Sequence, residues 1–214
     1  CQELKSLDNF EEVKKRLIVE PSLERKIVKD IPVLAEISDA ISLKVREQYE
    51  ENPYPRWVKL GVSIKAKPIA AVWDELKLQL YSENIKNVSA PSILIAGCGT
   101  GQHSIETASR FSNCHVTAVD LSVASLAYAQ RKTKELCLDN LDYLQADILH
   151  LHQMGKEFDI IESAGVLHHM DEPMVGWREL TKLLHHGGLM KLGLYSELAR
   201  EQFVKAQEKI KEGN

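Results

Sequence analysis

The chain has 214 residues, with 27 Lys+Arg against 31 Asp+Glu and a formal net charge of -4, which suits one domain plus an extension rather than two full domains. Hydrophobic residues make up 44% and charged residues 27%, with only 11 Gly and 7 Pro, so collagen-like, coiled-coil and wholly disordered chains are excluded. No apolar run reaches the roughly 18 residues of a membrane span, no basic-then-apolar leader is visible, and no basic cluster marks a phosphate-tracking face; a soluble protein without membrane or bulk nucleic-acid partners is expected.

A chain of this length buries roughly 70% of the surface that its unfolded form exposes and needs no staples. Cys1, Cys98, Cys114 and Cys137 form no C-x-x-C pair and show no regular spacing, so neither a zinc site nor a disulfide framework is implied, and a reducing, cytoplasmic compartment is expected. Opening on Cys1 rather than Met, the sequence reads as a fragment of something longer.

In chain order, Leu7, Phe10, Val13 and Leu17 fall at helical spacing with Asp8 or Ser6 able to cap the start, and Pro21 and Pro32 punctuate the stretch after them. A second amphipathic helix is predicted over 34–49, with Leu34, Ile37, Ile41 and Val45 on one face. Pro53 and Pro55 end it, since each disfavours the helical region for the residue before it. Residues 1–57 thus read as an N-terminal helical extension and linker, and 58–214 as the main domain.

From Ile93 onward short apolar runs alternate with amphipathic stretches, the pattern of parallel strands with crossover helices. Strands are predicted over 93–97, 114–120, 141–145, 158–163 and 188–195, and helices over 102–110, 123–136, 174–185 and 197–211. On the last helix Ala199, Phe203, Ala206 and Ile210 form one stripe. The expected fold is α/β, a Rossmann-like, doubly wound, mainly parallel sheet of at least five strands.

The strongest chemical signal is the strand Ile93-Leu94-Ile95-Ala96 running into Gly97-Cys98-Gly99-Thr100-Gly101 and then a helix. Glycines in such a turn let a ligand approach the backbone and permit positive φ. The dinucleotide fingerprint G-x-G-x-x-G needs a third glycine where Gln102 stands, which favours a nucleotide ligand with no pyrophosphate to seat. Asp120 ends the next strand about twenty residues after the turn, where a carboxylate accepts ribose hydroxyls; the alternative is that it caps the following helix together with Ser122. Asp147 ends the third strand, placed to accept an adenine amino proton while Ile148 packs on the ring. Ser163 to Met170 run from the fourth strand into a loop at the carboxyl edge, where ligands of open α/β sheets bind. The pairs His168-His169 and His185-His186 lack converging partners at ligand spacing, so no metal site is read. His168 is the candidate general base, with packing or backbone hydrogen bonding as its competing role.

These residues resemble the class I S-adenosylmethionine-dependent methyltransferases over roughly 92–196. Gly97-Cys98-Gly99-Thr100-Gly101 looks like that family's first motif, Asp120 its ribose acid, Ala146-Asp147 its adenine-side motif, Gly165-Val166-Leu167-His168-His169 its fourth, and His186-Gly187-Gly188-Leu189-Met190 the turn before its fifth strand. A narrower resemblance, over Tyr49 to Trp57 and Gly193 to Arg200, is to bacterial methyltransferases fused behind tetratricopeptide repeats, and implies that the first 50 residues link to a repeat region. The resemblance assigns S-adenosylmethionine to Gly97, Cys98, Gly99, Gly101, Asp120, Leu121, Asp147, Ile148, Ser163 and Gly165.

Two departures from the family pattern matter. Ile95 stands where many members carry an acid, so the loop carbonyls near Ser163 and Gly165 become the candidates for the methionine amino group. The family's sheet also carries two further strands, which implies truncation at the C-terminus or pairing of the fifth-strand edge with another chain, for instance in a homo-oligomer, because a bare edge invites aggregation. The implied reaction is in-line displacement at the sulfonium methyl, the protein supplying orientation and exclusion of water. The acceptor, a small molecule or a protein side chain, is not readable. Tyr54-Pro55-Arg56-Trp57 is a candidate lid, with Arg56 pairing with the methionine carboxylate. The competing readings are a nicotinamide-dependent oxidoreductase, against which Gln102 speaks, and a non-catalytic cofactor-binding or scaffold module.

Overall fold

Ile93, Leu94, Ile95 and Ala96 are all fully buried, and successive residues of a strand point to opposite faces. Ile93 and Ile95 enter one core with Val116, Ala118 and Leu126, whereas Leu94 and Ala96 enter a second with Val119, Ile161 and Leu180. A strand apolar on both faces belongs in the middle of a parallel sheet covered on both sides. The computed structural model, which describes residues 7–62, 65–77, 79–80 and 83–212, has that architecture. Cys1 and the candidate cap Ser6 lie outside the described residues.

Five parallel strands, β1 (Ser92–Ala96), β2 (His115–Asp120), β3 (Leu141–Gln145), β4 (Phe158–Ala164) and β5 (Leu184–Gly193), lie in the order β3-β2-β1-β4-β5. Helices α1 (Leu7–Lys14), α2 (Glu20–Ile27), α3 (Ala40–Glu51) and α4 (Ile69–Leu76) precede the sheet. Within it run α5 (Gln102–Arg110), α6 (Val123–Glu135) and α7 (Pro173–Lys182), and α8 (Glu197–Glu212) comes after it. The α4, α5 and α6 helices cover the face holding Ile93 and Ile95, while the short helical turn Ile148–Met154 and α7 cover the other. The chain steps outward from β1 to β3 and then crosses to the opposite side of β1 for β4. The carboxyl ends of β1 and β4 therefore open a crevice at the switch point, where such sheets bind ligands.

The predicted strands and crossover helices form with small shifts in their ends. The largest is in β5, which starts at Leu184: Phe158 pairs with Leu184 and Ile160 with Leu189, so the strand carries the His186-Gly187-Gly188 segment as a bulge, with Gly187 at φ +81°. The N-terminal region departs further from expectation. Pro21 does not interrupt the first helix; α1 passes through a wide π turn, Lys15–Val19, directly into α2, with Pro21 in the first turn of α2, where its missing N–H costs least. Residues 34–39 are not helical. The Leu34 N–H donates to the Gln145 carbonyl at 2.9 Å, Gln145 N–H to Pro32 at 2.9 Å, and α3 begins only where the Asp39 carboxylate accepts the amides of Ile41 and Ser42. Phe10, Val13 and Leu17 are exposed, so the apolar stripe of the first helix faces away from the core. On α8, Ala199, Ala206 and Ile210 are exposed too, and the Phe203 side chain lies outside the described residues. The α4 helix went unpredicted; its Ile69, Val72 and Trp73 are buried. Among the described residues no helix is long and apolar enough to cross a membrane.

Candidate active site

The first turn after β1 is built for clearance. Gly97 has φ +77°, and a Cβ there would lie 2.2 Å from Val166 Cγ2, so only glycine lets the loop after β4 close onto the loop after β1. The amides of Gly97 and Cys98 donate to the Val119 carbonyl at 2.8 and 2.9 Å, and that of Gly101 to Cys98 at 3.0 Å. The Gly99 amide donates to Asp120 Oδ2 at 2.7 Å. These four N–H groups are spent within the fold, leaving the loop a smooth wall rather than an anion cradle. Burial, and the nearby Asp120 charge, push the Cys98 thiol well up, so it is no nucleophile.

Asp120 ends β2 with Oδ1 accepting the Ser122 amide at 3.0 Å. Burial raises its pKa above the ordinary 3.8, against the backbone donors at Ser122, Gly99 and Leu121 that pull it down. The helix cap beside it is Ser122, whose Oγ accepts the Ser125 amide at 3.0 Å, so Asp120 is left to face the crevice. Asp147, after β3, accepts the Leu149 amide at 3.0 Å through Oδ1, while its buried Oδ2 has no hydrogen-bond partner. An unsatisfied buried carboxylate oxygen costs stability unless a ligand donates to it.

These groups border a cavity of about 500 Å³, within the roughly 300–1,000 Å³ of small-molecule sites. Gly97, Cys98, Gly99, Asp120, Leu121, Asp147, Ile148 and Gly165 all line it. Gly101, Ser163 and His168 do not. A Cβ on Gly101 would sit 2.5 Å from Ala129 Cβ, so this glycine serves the packing of the loop on α6. Ser163 is buried, its hydroxyl donating to the Ala96 carbonyl at 2.9 Å. The His168 ring stacks on Tyr195, centroids 3.7 Å apart, and its neighbour His169 lines the cavity.

The remaining wall comes from places that sequence reasoning missed. From α3 come Ile41, Ser42, Val45 and Tyr49; from α5, His103 and Glu106; from β5, Lys191. The outer apolar side is closed by Tyr54 and Pro55, in a segment latched onto the glycine turn: Thr100 Oγ1 donates to the Pro55 carbonyl at 2.6 Å and Trp57 Nε1 to the Thr100 carbonyl at 3.0 Å. The segment covers the site, but the expected role of Arg56 is corrected. Its Nη2 donates to both carboxylate oxygens of Glu24, at 3.1 and 3.0 Å, and its guanidinium lies over Tyr128; the buried acid on α2 draws it away from the cavity. Among the described residues no three His, Cys, Asp or Glu side chains cluster to hold a metal.

Chemically, the cavity joins two ends. One offers carboxylates at Asp120 and Asp147 beside flat backbone and the Ile148 side chain, which suits a nucleoside. The other holds His103, His169 and Lys191, and leaves room for a second reactant.

Comparison with known proteins gives several partial matches. Residues 93–188 match the family described as a methyltransferase domain. The chain is 31% identical over 113 residues to (S)-coclaurine N-methyltransferase of Papaver somniferum, covering 53% of this chain and 32% of that one. It is 29% identical over 117 residues to a malonyl-[acyl-carrier protein] O-methyltransferase of Paenibacillus sp. (strain JDR-2), covering 53% and 42%. The matches thus span less than half the length of these curated relatives. Among solved structures, the [4+2]-cyclase SpnF shares the fold, with TM-score 0.51 and 19% identity over 76% of this chain and 60% of that one. Over residues 93–188 the chain is thus similar to a methyltransferase domain.

Proposed function

We propose that the chain transfers the sulfonium methyl group of S-adenosylmethionine to an acceptor seated in the outer half of the cavity. The observation that carries this reading is the pairing, in one crevice, of the Asp120 carboxylate with the unsatisfied Asp147 Oδ2. Asp120 suits the two ribose hydroxyls and Asp147 the adenine amino group, with Ile148 against the ring. The glycine turn fits a donor without a pyrophosphate, because the amides of Gly97, Cys98, Gly99 and Gly101 are already bonded within the fold; a dinucleotide draws on such amides. The nicotinamide alternative is for that reason not favoured.

When bound, the donor supplies an electrophilic methyl group that needs no metal or redox partner. The chain's own task is then orientation and exclusion of water. Asp120 and Asp147 fix the nucleoside, the wall at Gly97 and Val166 sets how closely it approaches β1, and the Tyr54-Pro55 segment covers it. The acceptor is a small molecule or a protein side chain; the relatives include both N-methyl and O-methyl transferases, which supports either acceptor atom. A cytoplasmic setting, an N-terminal link to tetratricopeptide repeats, and pairing of the open β5 edge with a second copy belong to the same proposal. The last is checked by sedimentation velocity across a concentration series.

Isothermal titration of the chain with S-adenosylhomocysteine, with NADH in parallel, tests the central reading. Saturable binding of the former that weakens at least tenfold in Asp120→Ala is expected. Binding of NADH alone would overturn it.

A further inference from the structure

On the sheet floor of the outer half, β4 carries an ionisable side chain where its neighbours are apolar. Glu162 comes directly after Ile160 and Ile161, is 5% exposed, and pairs in register with Ile95 on β1 and Lys191 on β5. Its Oε2 lies 2.5 Å from His103 Nε2 and accepts the Thr107 hydroxyl at 3.0 Å, and Lys191 Nζ is 4.0 Å from Oε1. The fold does not need this acid, since a buried ion pair is seldom better for stability than a well-packed apolar residue of similar volume. What the acid does is hold one imidazole. His103, second residue of α5, lines the cavity; with Nε2 set against the carboxylate at ion-pair distance, short of an aligned hydrogen bond, Nδ1 is the nitrogen left for a ligand. Burial works to raise the Glu162 pKa, but the contact with His103, its charge, Lys191 and Thr107 outweigh it, and the carboxyl sits below its ordinary value. An ionised carboxylate behind an imidazole that faces a reactant is the arrangement of a general base and its orienting partner. Further titratable groups line the same cavity: Glu106 on its own helix, Tyr49 and Tyr54 from the N-terminal segment, Asp120 and Asp147 at the strand ends, and His169 after β4.

We propose that His103, positioned by Glu162, accepts the proton of the methyl acceptor, and that the acceptor is therefore an N–H or O–H nucleophile rather than a carboxylate. This rests on the methyl-transfer reading above. In the balanced step the acceptor's lone pair bonds the methyl carbon, the carbon–sulfur bond returns its electron pair to sulfur, and the acceptor's proton passes to His103 Nδ1. The resulting imidazolium is stabilised by the Glu162 carboxylate. His168, stacked on Tyr195 outside the cavity wall, gives up the role that the sequence suggested for it.

The test uses the full chain in three arms. By 15N-resolved NMR, the ring tautomer of His103 is compared in wild type and Glu162→Gln; a proton on Nε2 with Nδ1 bare is expected in wild type and loss of that preference in the variant, and a proton on Nδ1 in wild type or an unchanged preference in the variant overturns the proposal. By calorimetry, His103→Asn is expected to bind S-adenosylhomocysteine within threefold of wild type; a tenfold loss overturns the proposal by assigning His103 to the donor. In the third arm, S-adenosylhomocysteine release is monitored with tyramine, catechol and monomethyl malonate as probe acceptors. Transfer to tyramine or catechol should fall at least 100-fold in His103→Asn and tenfold in Glu162→Gln, with partial recovery in Glu162→Asp. Transfer to monomethyl malonate, or a loss under threefold in His103→Asn, overturns the proposal. If no probe is methylated, the tautomer and affinity arms decide. Failure of wild type to bind S-adenosylhomocysteine overturns the methyl-transfer reading instead, and the tautomer arm, run without ligand, is unaffected.

Discussion

Replacing Gly97 by Ala probes the point where the loop after β1 meets the loop after β4. Two costs add. The residue sits at φ +77°, and a side chain in the left-handed region costs about 1–2 kcal/mol. The new Cβ would stand 2.2 Å from Val166 Cγ2 and 2.8 Å from Cγ1, and overpacking of this kind costs about 1–3 kcal/mol. Together Gly97→Ala should destabilise the chain by about 2–5 kcal/mol, with each kcal/mol lowering the melting midpoint by roughly 2–4 °C at this size. Val166→Ala removes both offending methyl groups, so the double variant should recover the overlap but not the backbone cost. The coupling read from urea unfolding of the four proteins is then about 1–3 kcal/mol. A loss below about 1 kcal/mol for Gly97→Ala, or no coupling with Val166→Ala, would refute the reasoning that Gly97 is required for close approach.

The geometry sets three further outcomes. Asp147→Asn keeps an oxygen for the Leu149 amide but turns the unsatisfied position into a donor facing a ligand donor; titration calorimetry should show S-adenosylhomocysteine binding weakened by at least tenfold, with the melting midpoint nearly unchanged. Arg131→Met strands the buried Glu24 and the neighbouring Glu20 and Glu135, whose carboxylates Arg131 now binds; breaking such a network should cost about 3–5 kcal/mol in urea unfolding. The Glu162 carboxyl is held below its ordinary 4.5, so it contributes stability above that pH which is lost as pH falls through the depressed folded value. In Glu162→Gln the fall of the melting midpoint below pH 4.5 should be shallower than in wild type, and an equally steep fall would count against the ion pair.

What the sequence made legible divides by the range of the signal. The runs Ile93-Leu94-Ile95-Ala96 and Phe158-Asp159-Ile160-Ile161 announce buried parallel strands locally, because apolar residues on both faces admit few other places. The glycine turn with Asp120 and Asp147 at strand ends could likewise be read, since each sits beside the strand that positions it. The N-terminal segment misled. Leu34 and Ile37 continue the spacing of Ile41 and Val45, yet residues 33–34 pair with the end of β3, a contact across more than a hundred residues that no local period reports. The α4 helix has eight residues, starts directly after Pro68 and has no side-chain cap; burial of Trp73 against Phe111 forms it. His103, Glu162 and Lys191 come together only through the register of β4 against β1 and β5 and the seating of α5 on the sheet. An acid inside an apolar strand was the one warning that the sequence carried.

The N-terminal segment also explains how a shallow crevice becomes a cavity. The α2 helix is tied to α6 by Arg131, whose Nε donates to Glu24 at 2.9 Å. Glu24 in turn holds Arg56, next to Trp57 and close to the Pro55 carbonyl that accepts from Thr100. On the same side, Ser122 donates to the Tyr49 carbonyl at 3.1 Å and to Glu50 at 3.0 Å, docking the end of α3 beside Asp120. One line of polar contacts thus runs from α2 through Arg56 to the glycine turn, and a second joins α3 to the turn after β2. Each covering element is fixed to a residue one or two positions from a donor-site group. Loss of the Arg131 anchor should therefore weaken S-adenosylhomocysteine binding as well as stability, although Arg131 does not line the cavity. The sheet alone would leave Asp120 and Asp147 in water, where their hydrogen bonds to a nucleoside compete with solvent; the segment before it supplies the exclusion that the proposed methyl transfer requires.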